Sequence, residues 1–489
     1  MKNVASMALV VVAVAAVPLP AHAQVESRMW DLPSLLGHAL ATRADLAAHD
    51  ERIEAARYRY KEAKSHYFPR VHLTGMFTWT GSELGLDLSD YEITTRAETV
   101  ARTEVTVPQP PPAPAVTVPV SAPVSADVRV RLPADIELLD DTYGSLAATV
   151  EQPLFTWGRI RSYTRAARCL GEVEQAMKRD ASNRAAQQVR EAFHGLLVAR
   201  AAHAYAQRVR TELGIVRSLM ARFAEEDPEK TEFPVTALDV LEMDGFLLEA
   251  KGAELKAQRL AKTALEYLAL AAGLHGELTA ANVAGTLTTR VALAAKDDYV
   301  RQSLASHPLM RAAEQGALAE RHLSRAERVS QLPVVGLRGF YQSLGADDTA
   351  FEPTDYYGAS LVVDMPVFDS GERRAKAAQH LARTRELEQK KAFLGQYLRT
   401  RVGVLHDEIV TLEDLLAIDT EAIELLDKRL KIALFGLKNR EIAYRDYKDA
   451  FLARTLKQRE YFERVREFYE KTDLLARTLG APTALISEP

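Results

Sequence analysis

Val150-Glu151-Gln152-Pro153-Leu154-Phe155-Thr156-Trp157-Gly158-Arg159 returns later in the chain as Val363-Asp364-Met365-Pro366-Val367-Phe368-Asp369-Ser370-Gly371-Glu372. Each copy closes a segment of alternating residues and opens a very long polar-apolar one. Pro153 and Pro366 have no N–H to give a strand ladder, and Gly158 and Gly371 let the chain change direction at low steric cost. The expected plan is a strand that feeds a long helix, twice, with these four residues as strand-helix hinges.

Upstream of the first copy, Val71, Leu73, Gly75, Phe77 and Trp79 alternate with His72, Thr74, Met76, Thr78 and Thr80, which predicts a strand over about 70–80. Leu146, Ala148 and Val150 alternate in the same way within a second strand over about 144–154. No proline occurs from Gly158 to Phe223, so a single helix is expected over about 158–224, roughly 100 Å long at 1.5 Å per residue. Glu225 to Pro234, with two prolines and five acids, forms an elongated acidic tip. A second helix over about 235–272 returns and closes at Gly273.

The second copy sits in the same order of elements. Strands are expected over about 334–343 and 357–367, a long helix over about 371–434, a break at Gly436, and a last helix over about 441–479 closed by Gly480. Two shorter helices precede each strand pair: Leu32 to His49 and Glu51 to Tyr67 in one half, Asp298 to Ser306 and Leu309 to Ser330 in the other. Pro69 corresponds to Pro333, Asp239 to Asp446, Glu242 to Asp449 and Gly273 to Gly480. Residues 24–296, with a linker at 273–296, therefore read as one repeat and 297–489 as its partner. The fold class is mixed α and β, mainly α, with an internal two-fold repeat of long antiparallel helical hairpins and four strands per chain.

Three further features bound the function. Lys2, the apolar run Ala8 to Val17 and the Ala21-His22-Ala23 site read as a secretory signal peptide over 1–23, with Gln24 as the mature start. No later segment is apolar enough for a membrane helix, so any span of an exported chain must be made of strands. Cys169 is the single cysteine, which excludes an intrachain disulfide, and the net charge of −5 gives no support to nucleic-acid binding. An insertion over 82–142 separates the first two strands; its Pro108 to Pro123 part, rich in Pro, Val and Ala, is expected to be extended and poorly packed.

Four amphipathic strands cannot close a barrel alone, and lipid forbids open edges, so copies of the chain must complete it. At this point the whole mature chain resembles the TolC-like outer-membrane efflux factor family. Its marks are Pro153 to Arg159, the paired Pro366 to Gly371 stretch, and the duplicated order of elements. The resemblance implies a homotrimer with a twelve-stranded barrel in outer-membrane lipid and a helical tunnel in the periplasm. It further implies a periplasmic adaptor and an inner-membrane transporter as partners, with no cofactor and no chemistry of its own.

The resemblance also assigns roles at the distal helix ends. Asp446 and Asp449, at i and i+3, fall where the family carries its aperture carboxylates; from spacing alone a solvated helix face is the simpler reading. Asp239 and Glu242 are the first-half equivalents. In the family the first-half aspartate pairs with a base at the second tip, for which Lys438 is the best match and Arg440 the alternative. Phe435-Gly436-Leu437 resembles the small apolar tip to which adaptor hairpins dock; a simple helix-breaking turn fits it equally. No G-x-S-x-G, H-E-x-x-H or P-loop occurs, and His194, His203, His307 and His322 have no partner at metal-ligand spacing, so an enzyme and a metal site are not expected. The competing readings are a periplasmic adaptor and a structural coiled coil of the envelope; neither accounts for the duplicated strand pairs.

Overall fold

The computed structural model describes residues 29–79, 93–99, 102–107, 116–121, 124–130, 142–225, 232–274, 276, 278–346 and 354–480. The signal peptide expected over 1–23 and most of the acidic first tip lie outside these residues. The first half begins with helices α1 (Leu32–Thr42) and α2 (Ala44–Ser65) and strand β1 (Arg70–Trp79). Within the insertion lie β2 (Ile93–Thr99), β3 (Arg102–Val107), β4 (Val116–Ser121) and β5 (Val124–Val130), so much of it is paired strand. Then come β6 (Thr142–Phe155), α3 (Arg159–Ala224) and α4 (Ala237–Ala272). The second half runs α5 (Lys296–Ser306), α6 (Pro308–Val329), β7 (Val334–Ala346), β8 (Thr354–Asp364), α7 (Glu372–Asn439) and α8 (Tyr444–Thr478).

Alternation along each strand becomes two chemically distinct faces of one antiparallel sheet, ordered β1-β6-β7-β8. Register puts Val71 opposite Val150, Leu73 opposite Ala148, Leu337 opposite Leu361 and Tyr341 opposite Tyr357 on one face. That face is uncovered: Leu73 is 70% exposed, Phe77 77% and Tyr357 78%. The other face carries a row of Arg70, Glu151, Arg338 and Ser360. There Arg338 Nε donates to Glu151 Oε1 at 2.9 Å, and the Phe340 ring lies so close over Gly358 that a Cβ would meet it at 2.7 Å. Among the described residues β1 and β8 are the unpaired edges of this sheet.

The duplicated stretch forms the same sharp turn twice. Trp157 and Gly158 are left-handed, at φ 53° and 79°, and so are Ser370 and Gly371, at 52° and 84°. Two successive left-handed residues swing the chain from strand into helix; glycine takes the second position because no Cβ penalty arises there. The first turn is pinned by the Trp157 indole, which donates to Pro333 O at 2.7 Å. Asp369 caps the second, accepting from Gly371 N at 3.0 Å. Pro153 departs from the expectation that it stops the ladder: β6 runs through it to Phe155, with the register shifting between Pro153 and Phe155. A bulge absorbs the missing donor, whereas Pro366 does lie beyond the end of β8.

α3 packs along α4 and α7 along α8, while α6 lies between α3 and α7. Each short helix pair bends around the C-terminus of a long helix. Arg43 Nη1 donates to Ala271 O at 3.2 Å in one half, and Ser306 Oγ donates to Leu479 O at 2.8 Å in the other. Gly273 and Gly480, at φ 73° and 77°, press against these elbows. The first elbow is at Arg43, not near residue 50 as the sequence suggested. Pro308 marks its counterpart in the sequence, but no proline marks Arg43.

Candidate functional site

The far ends of both long hairpins meet in one apolar cluster. Val209, Leu213, Val216 and Met220 of α3 and Met243 of α4 pack with Leu437 of α7 and Tyr444, Tyr447 and Phe451 of α8. Their apolar positions recur at helical spacing, and burial against a facing hairpin is the main source of stability for such helices.

α7 continues through Phe435, Gly436 and Leu437 to Asn439, so the expected break at Gly436 does not occur. Its stop is one turn later, where Arg440 is left-handed at φ 61° and Glu441 N donates back to Gly436 O at 2.8 Å. This closes the helix in a Schellman-type turn. Gly436 has another use: a Cβ there would crowd Ile442 Cγ2 at 3.1 Å. Leu437 is buried in the cluster, and Phe435 stands out at 63% exposure.

Asp239 and Asp446 occupy the same third helical position, after Thr236 and Ala443 respectively. Their surroundings differ. Asp239 Oδ2 accepts from Thr236 N at 2.8 Å and from Thr236 Oγ1 at 2.7 Å, a complete capping box. Ala443 has no side-chain oxygen, so Asp446 makes no such box and is exposed, as is Asp449 one turn on. Neither has an ion-pair partner among the described residues.

The base that bridges the two tips is Lys448, whose Nζ lies 3.0 Å from Glu242 Oε1. Asp239 is not paired with Lys438 or Arg440, because its carboxylate serves its own helix cap. Lys438 is exposed, and Arg440 lies over the Phe223 ring at 4.5 Å, tying the end of α7 to the end of α3. Lys448 was not legible in the sequence, since its contact joins residues in different repeats across two hairpins. Beneath this bridge the Tyr444 hydroxyl is buried without a hydrogen-bond partner among the described residues. Burial first, then the negative charges of Glu242 and Asp239, push its pKa well above the usual phenol range.

Among the described residues no His, Cys, Asp and Glu group could hold a metal ion, and no helix is long and apolar enough to cross a membrane. Residues 35–223 match the outer membrane efflux protein family. Over that stretch, somewhat under half of its length, the chain is similar to this family. No curated relative matches it by sequence. Solved channels share its fold at low identity. CusC matches with a TM-score of 0.72 at 14% identity, covering 93% of this chain and 93% of CusC. VceC of Vibrio cholerae matches with a TM-score of 0.68 at 16% identity, covering 92% and 96%. MtrE of Neisseria gonorrhoeae in its open state matches with a TM-score of 0.69 at 15% identity, covering 92% and 89%. The family is one of transport proteins, and its efflux channels combine, as here, a strand sheet with long helices.

Proposed function

We propose that three copies of this chain form the exit duct of a tripartite efflux or type I secretion system. The duct is passive; an inner-membrane transporter drives it through a periplasmic adaptor. The observation that carries this reading is a pair of exposed apolar stripes in seven-residue steps. On α7 the steps are Tyr397, Val404, Ile418, Leu425 and Ile432, with Thr411 between; on α4 they are Leu241, Leu248 and Leu255. Ile432 is 73% exposed and Leu248 70%. A seven-residue step is the seam of a coiled coil, and such a seam left bare on a single chain calls for a neighbouring copy. The free β1 and β8 edges make the same demand. Three copies give twelve strands, enough to close, with the uncovered apolar face on lipid and Arg338 and Glu151 towards the lumen.

In this assembly Asp446 and Asp449 of three chains form two acidic rings at the periplasmic aperture, where crowded carboxylates attract cations. Glu242 and Lys448 latch the two tips of each chain. Phe435 presents the adaptor contact, with Gly436 and Leu437 shaping the helix beneath it. Gly158 and Gly371 fix the level at which barrel becomes tunnel, and residues 24–296 and 297–489 act as two repeats of one subunit.

Fractionation tests the assembly: the protein is expected in the outer membrane as a heat-resistant trimer, and a soluble periplasmic monomer overturns it. Single-channel recording tests the aperture. Asp446→Ala with Asp449→Ala is expected to weaken divalent-cation block, and unchanged block removes the acidic rings.

A further inference from the structure

Basic side chains gather at the sheet end of the helices. The last ten residues of α2 and α6 and the first ten of α3 and α7 hold 14 Lys or Arg against 4 Asp or Glu. Windows of the same size at the far ends of the long hairpins, on α3, α4, α7 and α8, hold 6 against 5. The whole chain carries a net charge of −5, so overall composition does not produce the excess.

The excess is ordered. Arg57, Lys61 and Lys64 of α2 stand at i, i+4 and i+7, on one helix face, and all three are exposed. Aligning Pro69 with Pro333 gives their counterparts in the second repeat, Arg321, Arg325 and Arg328 of α6, which are exposed as well. α3 carries the same spacing at Arg161, Arg165 and Arg168, again exposed. Arg57 pairs with Glu54, Arg321 with Glu388, and Lys61 lies over the Tyr58 ring. Lys64 and the other five arginines have no ion-pair partner among the described residues.

Helix dipoles do not account for these rows. Cations suit the C-terminal ends of α2 and α6, but α3 opens on Arg159 and Arg161 with no acid in its first turn, against its dipole. The rows of α3 and α6 also crowd one another. Burial first, then the charges of Arg165, Arg325 and Arg321, push the His322 imidazole below its ordinary pKa. Anions from outside the chain relieve such a concentration of one sign of charge.

Position indicates which anions. Tyr67, Phe68, Phe155, Trp157 and Phe368 are exposed at the junction between the uncovered apolar sheet face and the basic rows. Aromatic rings so placed mark a membrane–water interface. At 1.5 Å per residue Arg161 stands about 5 Å and Arg168 about 15 Å beyond Gly158, so long arginine side chains reach a headgroup layer there. The rows also face outward. Four seven-residue steps from Arg165 reach Phe193 on the same side of α3, with a drift of about 80° at most. The 273–296 linker covers Phe193: a Cβ on Gly285 would meet its ring at 2.7 Å. In the duct proposed above, a segment laid on one side of the tube wall lies outside it, since inside it would plug the passage.

We propose that these rows, in the trimeric duct on which this inference rests, form a basic belt that binds the phosphates of phosphatidylglycerol in the periplasmic leaflet. The test uses the full-chain trimer in detergent, incubated with equimolar phosphatidylglycerol and phosphatidylethanolamine, with retained lipid counted by native mass spectrometry. Trimer formation is scored separately by light scattering. The unaltered trimer is expected to retain roughly threefold more phosphatidylglycerol, and to lose that preference at high salt. Arg161→Gln with Arg165→Gln and Arg168→Gln, or Arg321→Gln with Arg325→Gln and Arg328→Gln, should each cut the preference by about half or more. Lysine at the same positions should keep it, because a phosphate accepts a point charge. Lys428→Gln with Arg429→Gln and Lys431→Gln, far along α7, removes equal charge and should leave it unchanged. Where a glutamine set fails to form the trimer, the salt series of the unaltered chain decides. Equal retention of the two lipids, or a preference insensitive to salt, overturns the belt in an intact trimer and leaves the duct standing. So does a preference that survives both glutamine sets. Altered ion selectivity of single channels with unchanged lipid retention would place the rows in the lumen and likewise overturn the belt. Absence of a trimer overturns both readings together.

Discussion

Asp239 and Asp446 hold the same helical position in the two repeats, yet only one of them is free to act on its surroundings. Asp239 closes a capping box with Thr236, while Asp446 follows Ala443 and stays exposed. A single side chain upstream makes the difference. The same contrast holds one position after each cap, where Ala237 stands in the first repeat and the buried Tyr444 in the second. At the other end of the long helices the repeats agree closely, down to the paired left-handed residues at 157–158 and 370–371. The two halves share the same turn at the strand-helix junctions and differ at the described caps of α4 and α8, where Asp239 is bonded to Thr236 and Asp446 is exposed.

This comparison can be broken at several points. The largest effect is expected from Leu437→Ala, which opens a cavity in the cluster shared by both tips and costs about 2–5 kcal/mol. Hydrogen exchange should then quicken at the ends of both hairpins. Acceleration confined to α7 and α8 would mean that the tips are independent.

Exchanging the caps comes next. Thr236→Ala is expected to cost about 1 kcal/mol and to fray the first turn of α4. Ala443→Thr should give Asp446 a capping partner, protect the first turn of α8 by a similar amount, and weaken divalent-cation block by engaging the carboxylate. If Ala443→Thr leaves both exchange and block unchanged, the cap does not explain the difference between the aspartates.

Lys448→Met should have a smaller effect, about 1 kcal/mol or less, because the Glu242 pair is half exposed. The loss should shrink in high salt. A salt-independent loss would assign the role of Lys448 to its packing on Tyr444 rather than to the ion pair.

The smallest effect at neutral pH belongs to Tyr444→Phe, since the buried hydroxyl has no partner among the described residues to lose. Its signature is alkaline. The folded-state pKa lies above the ordinary value of 10.0, so the unfolded chain gives up this proton first as pH rises. This group therefore leaves stability unchanged below about pH 10 and lowers it as pH climbs from there towards the folded pKa. Tyr444→Phe should remove that part of the alkaline slope in a thermal melt, and an unchanged slope would show that Tyr444 does not contribute.

Much of this architecture was legible in the residues. Period-two alternation at Val71 to Trp79 and proline-free helical stretches after Gly158 and Gly371 are local signals, and local sterics enforce them. The misreadings share a cause. Gly436 looks like a break, but α7 runs through it, and its missing side chain leaves room for Ile442. Pro153 looks like a strand end, but a bulge accommodates it. Arg43 carries no breaking signal, and the chain bends there while its guanidinium bonds to the carbonyl of Ala271. Each depends on a neighbour that local pattern does not encode.

The strand and helix periods, the duplicated order of elements and the glycine turns were legible in the residues alone. These follow from backbone sterics and hydrophobic spacing within a few residues. Folding settles which carboxylate is capped, which base spans the tips, and which apolar stripes remain bare. Those outcomes turn on contacts between distant segments, such as Glu242 with Lys448, 206 residues apart. Ionic and packing energies fall off within a few ångströms, so only the folded chain brings such partners into range.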